Sequence, residues 1–466
     1  MKPEAIPQNG RLVVIGGVAA GMSAASQVKR RRPDVQVTAL EQGEYVSYGA
    51  CGMPYNIEDP DRDIEDLVVI SPQQFREKRG IDVRTGHRVE SIDRKRNIVV
   101  ARTAEGTCEF QYDRLMIATG ARPVRSAVSG SDAEGIHALH NLDSGKQLKA
   151  MLGDLPESSP VVIIGGGYIA MEMAEVLTRR GMKVTVVVRS MVLRRFCDAT
   201  RALAEATLTR NGVEVIQGQV TSYTLRNGRV AGLVLDTGVS LEAAMVVEAM
   251  GIRPNVGLAQ DAGLDIGTTG AIAVNAYGQT SDPAIFAGGD CAEAPFKLGG
   301  PAVYTPLGDT ANKQGKLAGA NICGAGETFS GVINTSIFRL FDLEVATTGV
   351  NEAKATELGY KPLSAEITAN TRAHGYPGGK KIMLRLIFDG PTGRILGAET
   401  AAGEGAWRIN VLSAGIDTGM TIAQLAGLDL AYAPPFSPVW DPLLTLAALT
   451  IKKQTAYLKA KQEIAV

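Results

Sequence analysis

Cys51 carries the most reactive side chain of the segment Tyr48–Tyr55 (YGACGMPY). A cysteine thiolate attacks disulfides, and its sulfur is readily oxidised and reduced. An internal redox disulfide needs a second cysteine nearby, but Val46 and Asn56 stand five positions before and after Cys51. If Cys51 is redox-active, its sulfur partner must therefore come from a substrate.

The five cysteines form no CxxC pair and no metal-ligand spacing, so the sequence predicts neither a disulfide framework nor a metal site. A lone cysteine is most often a buried, unreactive thiol. Cys51 has a glycine neighbour and closely follows a nucleotide-binding motif, which favours a catalytic role. The inert role is predicted for Cys108, Cys197, Cys291 and Cys323.

A strand–helix–strand unit precedes Cys51. Leu12–Ile15 and Val35–Leu40 are short apolar runs typical of buried parallel strands, and Gly21–Arg32 predicts a helix between them. A glycine-rich turn before such a helix binds a pyrophosphate, and an acid after the second strand binds a ribose diol. The residues predicted to contact this first nucleotide are Gly16, Gly17, Ala20, Gly21 and Glu41.

The same arrangement recurs at Val161–Ile164, Tyr168–Arg180 and Val184–Val188. Arg189 follows the second strand, where an acid is expected. A cation cannot accept a hydrogen bond from a ribose hydroxyl but pairs well with a 2′-phosphate, which favours NADPH and leaves NADH possible. The alternative is a solvated surface cluster of arginines. The residues predicted to contact this second nucleotide are Gly165, Gly167, Tyr168, Ile169, Arg189, Arg194 and Arg195.

Two further turns follow predicted strands: Thr119-Gly120 after the strand that begins at Leu115, and Gly288-Gly289-Asp290 after the strand at Ile285. Beyond about Val332 no nucleotide motif occurs. Strands are predicted there at Glu344–Gly349 and Ile382–Phe388, in a separate interface domain.

The length of 466 residues predicts about three domains. An apolar content of 45% and a formal charge of −1 are typical of a globular protein with no nucleic-acid or membrane partner. The first ten residues lead into an apolar run too short for a signal sequence or a membrane span. We therefore expect a cytoplasmic protein.

These features together resemble the pyridine nucleotide-disulfide oxidoreductases. The resemblance implies that FAD is the first nucleotide, contacted by Thr119, Gly120, Gly288 and Asp290, and that NAD(P)H is the second. It also implies an α/β fold with two Rossmann-like FAD- and NAD(P)-binding domains and a C-terminal α+β dimerisation domain, assembled as a homodimer. The predicted boundaries are 1–150 and 276–331 for the FAD-binding domain, 151–275 for the NAD(P)-binding domain and 332–466 for the dimerisation domain.

Within that superfamily, Ile15–Ala25, Ala50–Tyr55 and Tyr432–Pro435 resemble the coenzyme A-disulfide reductases, a group related to persulfide and polysulfide reductases and to NADH oxidases. The resemblance implies that Cys51 replaces the flavin-proximal cysteine of two-cysteine reductases. It also implies that Tyr376 and Tyr432, donated by the other subunit, serve as proton donors. A lysine common in two-cysteine reductases is Tyr55 here, while its usual partner remains as Glu172, which the resemblance places among the cofactor-binding residues.

The resemblance implies a reductase of coenzyme A disulfide, persulfide or polysulfide, in which NADPH supplies electrons through FAD to a mixed disulfide on Cys51. We expect the field of a short helix beginning near Pro54 to favour the Cys51 thiolate. Two alternatives stay open. One is an NAD(P)H oxidase that reduces oxygen through a Cys51 sulfenate. The other is a flavoprotein electron carrier that docks a protein partner.

Overall fold

The computed structural model describes residues 2–464. The strands of its first part are β1 (Arg11–Ile15), β2 (Gln36–Leu40), β3 (Ile81–Arg84), β4 (Arg88–Asp93), β5 (Ile98–Thr103), β6 (Gly106–Gln111), β7 (Arg114–Ile117), β8 (Ala121–Pro123) and β9 (Ile136–His137). The helices there are α1 (Ala19–Arg31), α2 (Met53–Glu58), α3 (Pro72–Arg79) and α4 (Leu142–Asp154).

The second part carries β10 (Pro160–Ile164), β11 (Lys183–Val188), β12 (Glu214–Gln217), β13 (Val220–Arg226), β14 (Arg229–Leu235), β15 (Ser240–Glu242), β16 (Met245–Glu248) and β17 (Ile252–Pro254). Its helices are α5 (Tyr168–Arg179), α6 (Asp198–Arg210) and α7 (Gly257–Asp261).

The strands of the last part are β18 (Ile285–Ala287), β19 (Ser336–Leu340), β20 (Leu343–Gly349), β21 (Pro362–Asn370), β22 (Lys381–Asp389) and β23 (Ile395–Ala402). The helices are α8 (Gly308–Ile322), α9 (Glu352–Glu357), α10 (Ile409–Thr418), α11 (Ile422–Ala426) and α12 (Pro442–Ile464). Each strand and helix predicted in the two nucleotide units agrees with an observed element to within two residues.

A first parallel sheet has the strand order β18-β7-β1-β2-β3. Its central strands β1 and β7 each begin with a partly exposed arginine and continue as buried apolar runs, as expected for a sheet covered on both faces. Because β18 pairs with β7, the chain returns to this sheet after building the second one. Helix α8 then packs against α1 so closely that a Cβ on Gly315 would lie 2.1 Å from the carbonyl oxygen of Ala20.

A second parallel sheet has the order β12-β11-β10-β16-β9, and the last part forms an antiparallel sheet in the order β19-β20-β23-β22-β21. These layers confirm the α/β fold class with two Rossmann-like units and a C-terminal α+β unit. The numerical domain boundaries stay predictions. Among residues 2–464, no helix combines the length and the apolar character needed to cross a membrane.

The three units meet around α5. Glu175 on this helix is almost fully buried, and its carboxylate accepts a hydrogen bond from the backbone N–H of Phe341 at 2.7 Å. The same carboxylate pairs with Arg339 of β19 at 3.1 Å and with Arg179 at 2.9 Å. A buried carboxylate with several charged and backbone donors is well satisfied, so Glu175 fixes the C-terminal sheet against the second unit.

Candidate active site

Cys51 lies in a single 3-10 turn, Ala50–Gly52, which runs directly into α2. The residue is exposed, whereas Val46 is fully buried. Pro54 stands in the first turn of α2, where a missing N–H costs no hydrogen bond. The predicted position of the helix is therefore confirmed, and a single accessible thiol lies at its start.

The expectation that the thiolate is favoured is wrong for this structure. Although the residue is exposed, the protein atoms around its sulfur exclude part of the solvent, and this partial desolvation raises the pKa of Cys51; the carboxylates of Glu172 and Asp290 raise it further. The six-residue α2 does not overcome these effects. These surroundings therefore oppose formation of the Cys51 thiolate.

The first nucleotide turn is built around Gly16, which has a φ of +107°. A Cβ there would lie 2.1 Å from the carbonyl oxygen of Ala118, so only glycine fits. The Glu41 carboxylate accepts hydrogen bonds from the N–H groups of Gly17 and Gly43, both at 2.8 Å. Ala20 and Gly21 are buried in the first turns of α1.

Asp290 follows β18 and comes to this same sheet edge. Burial raises the pKa of Asp290 to about 6, and its side chain accepts no hydrogen bond from residues 2–464. Asp290 is half-buried, and a half-buried carboxylate without a protein donor fits the hydroxyl groups of an FAD molecule. The backbone N–H of Gly288 donates a hydrogen bond to the carbonyl oxygen of Ile117 at 3.2 Å, and this bond holds the turn in place.

The Thr119-Gly120 turn joins the first and second units. The Thr119 hydroxyl donates to the carbonyl oxygen of Asn255 at 2.7 Å, and the Asn255 side chain donates back to the carbonyl oxygen of Thr119 at 2.9 Å. Because its hydroxyl is engaged by the protein, the turn positions the cofactor site chiefly through its backbone.

The second nucleotide turn repeats the first. Gly165 has a φ of +132°, and a Cβ there would lie 2.2 Å from the carbonyl oxygen of Ala249. Gly167 is exposed, with open space beside its Cα. Ile169 is also exposed. In contrast to these exposed residues, Tyr168 contacts the C-terminal unit. Its hydroxyl shares a hydrogen bond with the Ser336 hydroxyl at 2.9 Å, and its ring packs on the ring of Phe338.

The strand registers locate the ribose-binding position. Ile15 pairs with Leu40 in the first sheet, and Ile164 pairs with Val187 in the second. Val188, and not Arg189, is therefore the structural equivalent of Glu41, which corrects the sequence comparison by one position. An apolar side chain thus occupies the place of the acid.

Three exposed cations, Arg189, Arg194 and Arg195, follow this strand end. None of them forms an ion pair with another residue of the described chain. A group of exposed cations without carboxylate partners is suited to an anionic ligand.

The two predicted tyrosine proton donors lie in neighbouring surface loops of the C-terminal unit. Tyr376 is 40% and Tyr432 is 48% exposed. The N–H of Ala373 donates to the carbonyl oxygen of Pro434 at 3.1 Å, which ties the two loops together. No hydrogen bond within residues 2–464 connects either tyrosine to Cys51, and their role as proton donors stays a prediction.

Tyr55 and Glu172 occupy the positions of a residue pair in two-cysteine reductases, and the structure brings them into contact. Tyr55 donates a hydrogen bond to the Glu172 carboxylate at 3.0 Å, and the guanidinium of Arg339 lies 5.7 Å from the Tyr55 ring. The sequence signal was the tyrosine four positions after Cys51. Arg339 lies far along the chain, so no local pattern could have revealed it.

A family model described as pyridine nucleotide-disulphide oxidoreductase matches residues 10–315, and a model of that family's dimerisation domain matches residues 335–443. The chain is similar to the NAD(P)H coenzyme A polysulfide/persulfide reductase of Pyrococcus horikoshii, with 38% identity over 442 residues that cover 94% of this chain and 97% of the relative. The structure of an NAD-dependent persulfide reductase from A. fulgidus has a TM-score of 0.92 and 40% identity, covering 96% of this chain and 84% of that one.

An engineered water-forming NADPH oxidase, solved with bound NADPH, has a TM-score of 0.90 and 28% identity, covering 96% of this chain and all of that one. Its parent, from Lactobacillus brevis, is an NADH oxidase. The engineering changed five residues of the parent. In chain order, Gly became Ala, Asp became Ala, Ala became Arg, Met became Ser and Pro became Arg. The replaced positions have the same relative spacing as Ala170, Val188, Arg189, Ser190 and Arg195 have in this chain.

Proposed function

Because the chain belongs to the pyridine nucleotide-disulphide oxidoreductase family, we propose that it is an NADPH-dependent, FAD-containing reductase of coenzyme A disulfide, coenzyme A persulfide or polysulfide. The observation that carries the proposal is the exposed Cys51 with buried Val46 in place of a second cysteine. A lone thiol at that position must exchange with sulfur from outside the chain. The name of the Pyrococcus relative supports this substrate class.

The residues of the first unit hold the cofactor. FAD, when bound, passes the electrons of NADPH to sulfur. When FAD is bound, the N–H groups at the start of α1 would attract its pyrophosphate, Glu41 would accept a hydrogen bond from a ribose hydroxyl, and Asp290 would accept one from the ribityl chain. The Cys51 thiolate attacks one sulfur of the substrate, forms a mixed disulfide and releases the other sulfur as a thiolate. With one proton taken up, NADPH and a disulfide thus yield NADP⁺ and two thiols.

Intact-mass analysis after anaerobic addition of coenzyme A disulfide tests the proposal. We expect a coenzyme A adduct on the wild type that disappears with dithiothreitol, no adduct on Cys51→Ser, and an unchanged adduct on the control Cys323→Ser. Loss of turnover in Cys51→Ser should accompany loss of the adduct. A wild type that neither forms the adduct nor oxidises NADPH with any of the three substrates would overturn the assignment.

The second candidate is an oxidase, and the likeness to a water-forming NADPH oxidase favours it. In that reaction a Cys51 sulfenate would be the oxidised form of the thiol. Rapid reoxidation by oxygen, together with failure of coenzyme A disulfide to reoxidise the reduced enzyme, would identify an oxidase. In an electron carrier to a protein partner, electron transfer should instead survive Cys51→Ser.

The preference for NADPH rests on the strand end of the second unit. Val188 cannot accept a hydrogen bond from a 2′-hydroxyl, while Arg189 and Arg195 can pair with a 2′-phosphate. The engineered relative supports this, because arginines and a serine were installed there in an enzyme that binds NADPH. Arg194 has no counterpart among those replacements and is a secondary contact in this proposal.

Assembly of two copies completes the site in this proposal. The dimerisation-domain match includes Tyr376 and Tyr432, and a phenol can protonate a departing thiolate. Mixing Cys51→Ser with Tyr432→Phe subunits should restore partial turnover, because one of the two mixed sites keeps both residues. The proposal places the enzyme in the cytoplasm, where thiols are kept reduced, and assigns it no nucleic-acid or membrane partner.

A further inference from the structure

Glu399 of β23 belongs to the C-terminal sheet, yet its carboxylate holds the start of α6 in the second nucleotide unit. The residue is only 5% exposed. One of its carboxylate oxygens accepts a hydrogen bond from the backbone N–H of Cys197 at 2.8 Å and another from the Thr200 hydroxyl at 3.1 Å. The function proposed so far gives this contact between two units no task.

The charge of Glu399 is directed at the helix. No cation within residues 2–464 forms an ion pair with it, because its cross-strand neighbour Arg385 pairs with Glu352 and Glu366 instead. Cys197 is the N-cap residue of α6, and its own side chain forms no cap. The carboxylate thus lies at the partially positive start of a 13-residue helix, where a negative charge is stabilised.

The segment that precedes α6 carries the arginines of the second nucleotide site. Arg194 and Arg195 lie between two fixed points of this segment. Before them, the N–H of Leu193 donates to the carbonyl oxygen of Gly166 in the glycine turn at 2.7 Å. After them, Glu399 binds the start of α6. The C-terminal sheet therefore fixes one end of the arginine segment.

Phe196 orients the same segment. Its ring is buried and contacts the rings of Tyr168 and Phe338, with centroids 6.1 Å and 6.3 Å away. The two preceding side chains, those of Arg194 and Arg195, are exposed. The segment thus turns its aromatic residue inward and its cations outward.

A cavity of about 680 Å³ lies between the arginine segment and the C-terminal sheet. Arg194, Arg195 and Cys197 line it on the side of the second unit, and Glu366 and Glu399 line it on the side of the sheet. Open space borders the segment there, so the hydrogen bonds to Glu399 tie its end to the sheet.

We propose that Glu399 is a positioning residue for cofactor selection, which holds Arg195, and with it Arg194, where they pair with the 2′-phosphate of NADPH. Glu399 does not touch the cofactor and acts through the arginines. A cation that is already ordered binds a phosphate more tightly than a mobile one, because less side-chain freedom is lost on binding. The inference rests on the proposed preference for NADPH and deepens it.

Isothermal titration calorimetry of the holoenzyme tests this with two probes, ADP-ribose and ADP-ribose phosphorylated at the adenosine 2′-oxygen. Neither probe carries a nicotinamide, so binding involves no flavin or thiol chemistry. We expect the wild type to prefer the phosphorylated probe. Glu399→Ala should weaken its binding about tenfold, the scale of ordering one or two long side chains, and should change ADP-ribose binding by less than about twofold.

The sign of the effect separates positioning from charge. Removal of a carboxylate near arginines by itself strengthens the binding of a phosphate. Glu366→Ala is the matched control, because Glu366 lines the same cavity, pairs with Arg385 and makes no hydrogen bond to α6. This control should keep or raise the affinity for the phosphorylated probe.

Three results would overturn the positioning role. The first is unchanged or tighter binding of the phosphorylated probe in Glu399→Ala, and the second is an equal loss for both probes, which would show a packing role. The third is the same selective loss in Glu366→Ala, since the effect would then not depend on α6.

Thr200→Val is a second variant, which removes one of the two donors to Glu399 with little change of shape. It should weaken binding of the phosphorylated probe about threefold, the contribution of one hydrogen bond. If Glu399→Ala does not fold, Thr200→Val decides, and an unchanged ratio of the two affinities overturns the proposal.

The positioning role and the proposed function fail in different ways. A wild type that binds both probes equally would overturn the preference for NADPH itself. A wild type that prefers the phosphorylated probe, with the same preference in Glu399→Ala, would overturn only the role of Glu399. The coenzyme A adduct on Cys51 tests the reductase function separately.

Discussion

The two nucleotide units share a backbone but differ at the end of their second strand. Gly16 and Gly165 adopt the same left-handed type of turn, each with a carbonyl oxygen where a Cβ would be. At equivalent register positions the first unit has Glu41 and the second has Val188. In the proposed function, the glycine turn therefore fixes where the phosphates bind, while the residue at the strand end selects the ribose.

The units also differ in enclosure. The first is covered by the returning chain, which packs α8 on α1 and leaves Asp290 only half-exposed beside the glycine turn. The second leaves Gly167 and its arginines exposed. This difference suits a cofactor that stays bound in the first unit and one that exchanges in the second.

The largest expected effect is on the free energy of unfolding, and it tests whether the glycine turns at Gly16 and Gly165 have the same steric requirement. Gly16→Ala and Gly165→Ala should each lower the free energy of unfolding by about 4 kcal/mol, because backbone strain adds to a steric clash. Urea unfolding of the apoprotein, followed by circular dichroism, measures this. Gly167→Ala is the control, since no atom lies within 4 Å of its added Cβ. If alanine were tolerated at one of the two turns and not at the other, the two turns would not be structurally equivalent.

The enclosure of the first unit predicts a pH effect. The folded pKa of Asp290 is about 6 and its ordinary value is 3.8. Because the folded value is the higher, the contribution of Asp290 to apoprotein stability is complete below pH 3.8 and is lost as the pH rises through 6. Asp290→Asn should therefore make the apoprotein more stable at pH 8 by up to about 3 kcal/mol, while weakening FAD binding.

Urea unfolding of the FAD-free forms at pH 5 and pH 8 measures this difference. The gain of the variant should be smaller at pH 5. Asp282→Asn is a control at a carboxylate of the same region that is already paired with Arg94 at 2.7 Å. Equal stability of Asp290→Asn and wild type at pH 8 would contradict the burial argument.

The third effect concerns the charge of the second unit. Arg189→Glu should lower kcat/KM for NADPH by about 100-fold and leave NADH nearly unchanged, because charge-assisted bonds to a phosphate contribute about 1.5–3 kcal/mol. Steady-state kinetics with both cofactors measure the ratio. Lys183→Glu, an exposed charge change at the other end of β11, is the control. Equal loss for both cofactors would refute the phosphate contact.

The smallest expected effect is a change in the use of NADH, and it tests whether Val188 is the structural equivalent of Glu41. Val188→Asp places an acid at the position equivalent to Glu41 and should raise kcat/KM for NADH by about fivefold, the value of one hydrogen bond of about 1 kcal/mol. Val188→Asn carries no charge and should give a smaller gain. If an acid at position 189 raises kcat/KM for NADH and an acid at position 188 does not, the equivalence of Val188 with Glu41 does not hold in the binding site.

Local sequence patterns predicted both nucleotide units because glycine turns, short apolar strands and the helices between them are short-range features. The same patterns placed the ribose-binding position at Arg189, one residue after Val188. They failed there because the register depends on the pairing between β10 and β11. The thiolate expectation failed for Cys51 because the effect of burial depends on the packing around the sulfur. The long-range contact of Arg339 with Tyr55 was likewise beyond any local pattern.

By itself, the sequence determined the fold class, the two glycine turns and the single thiol, because each depends on residue type and close spacing. The tertiary structure decided which charges surround that thiol. Glu172 and Asp290 approach Cys51 only after α5 and β18 have packed around α2 and the first sheet. Coulomb forces act through space, so residues far apart along the chain set the proton affinity of the sulfur.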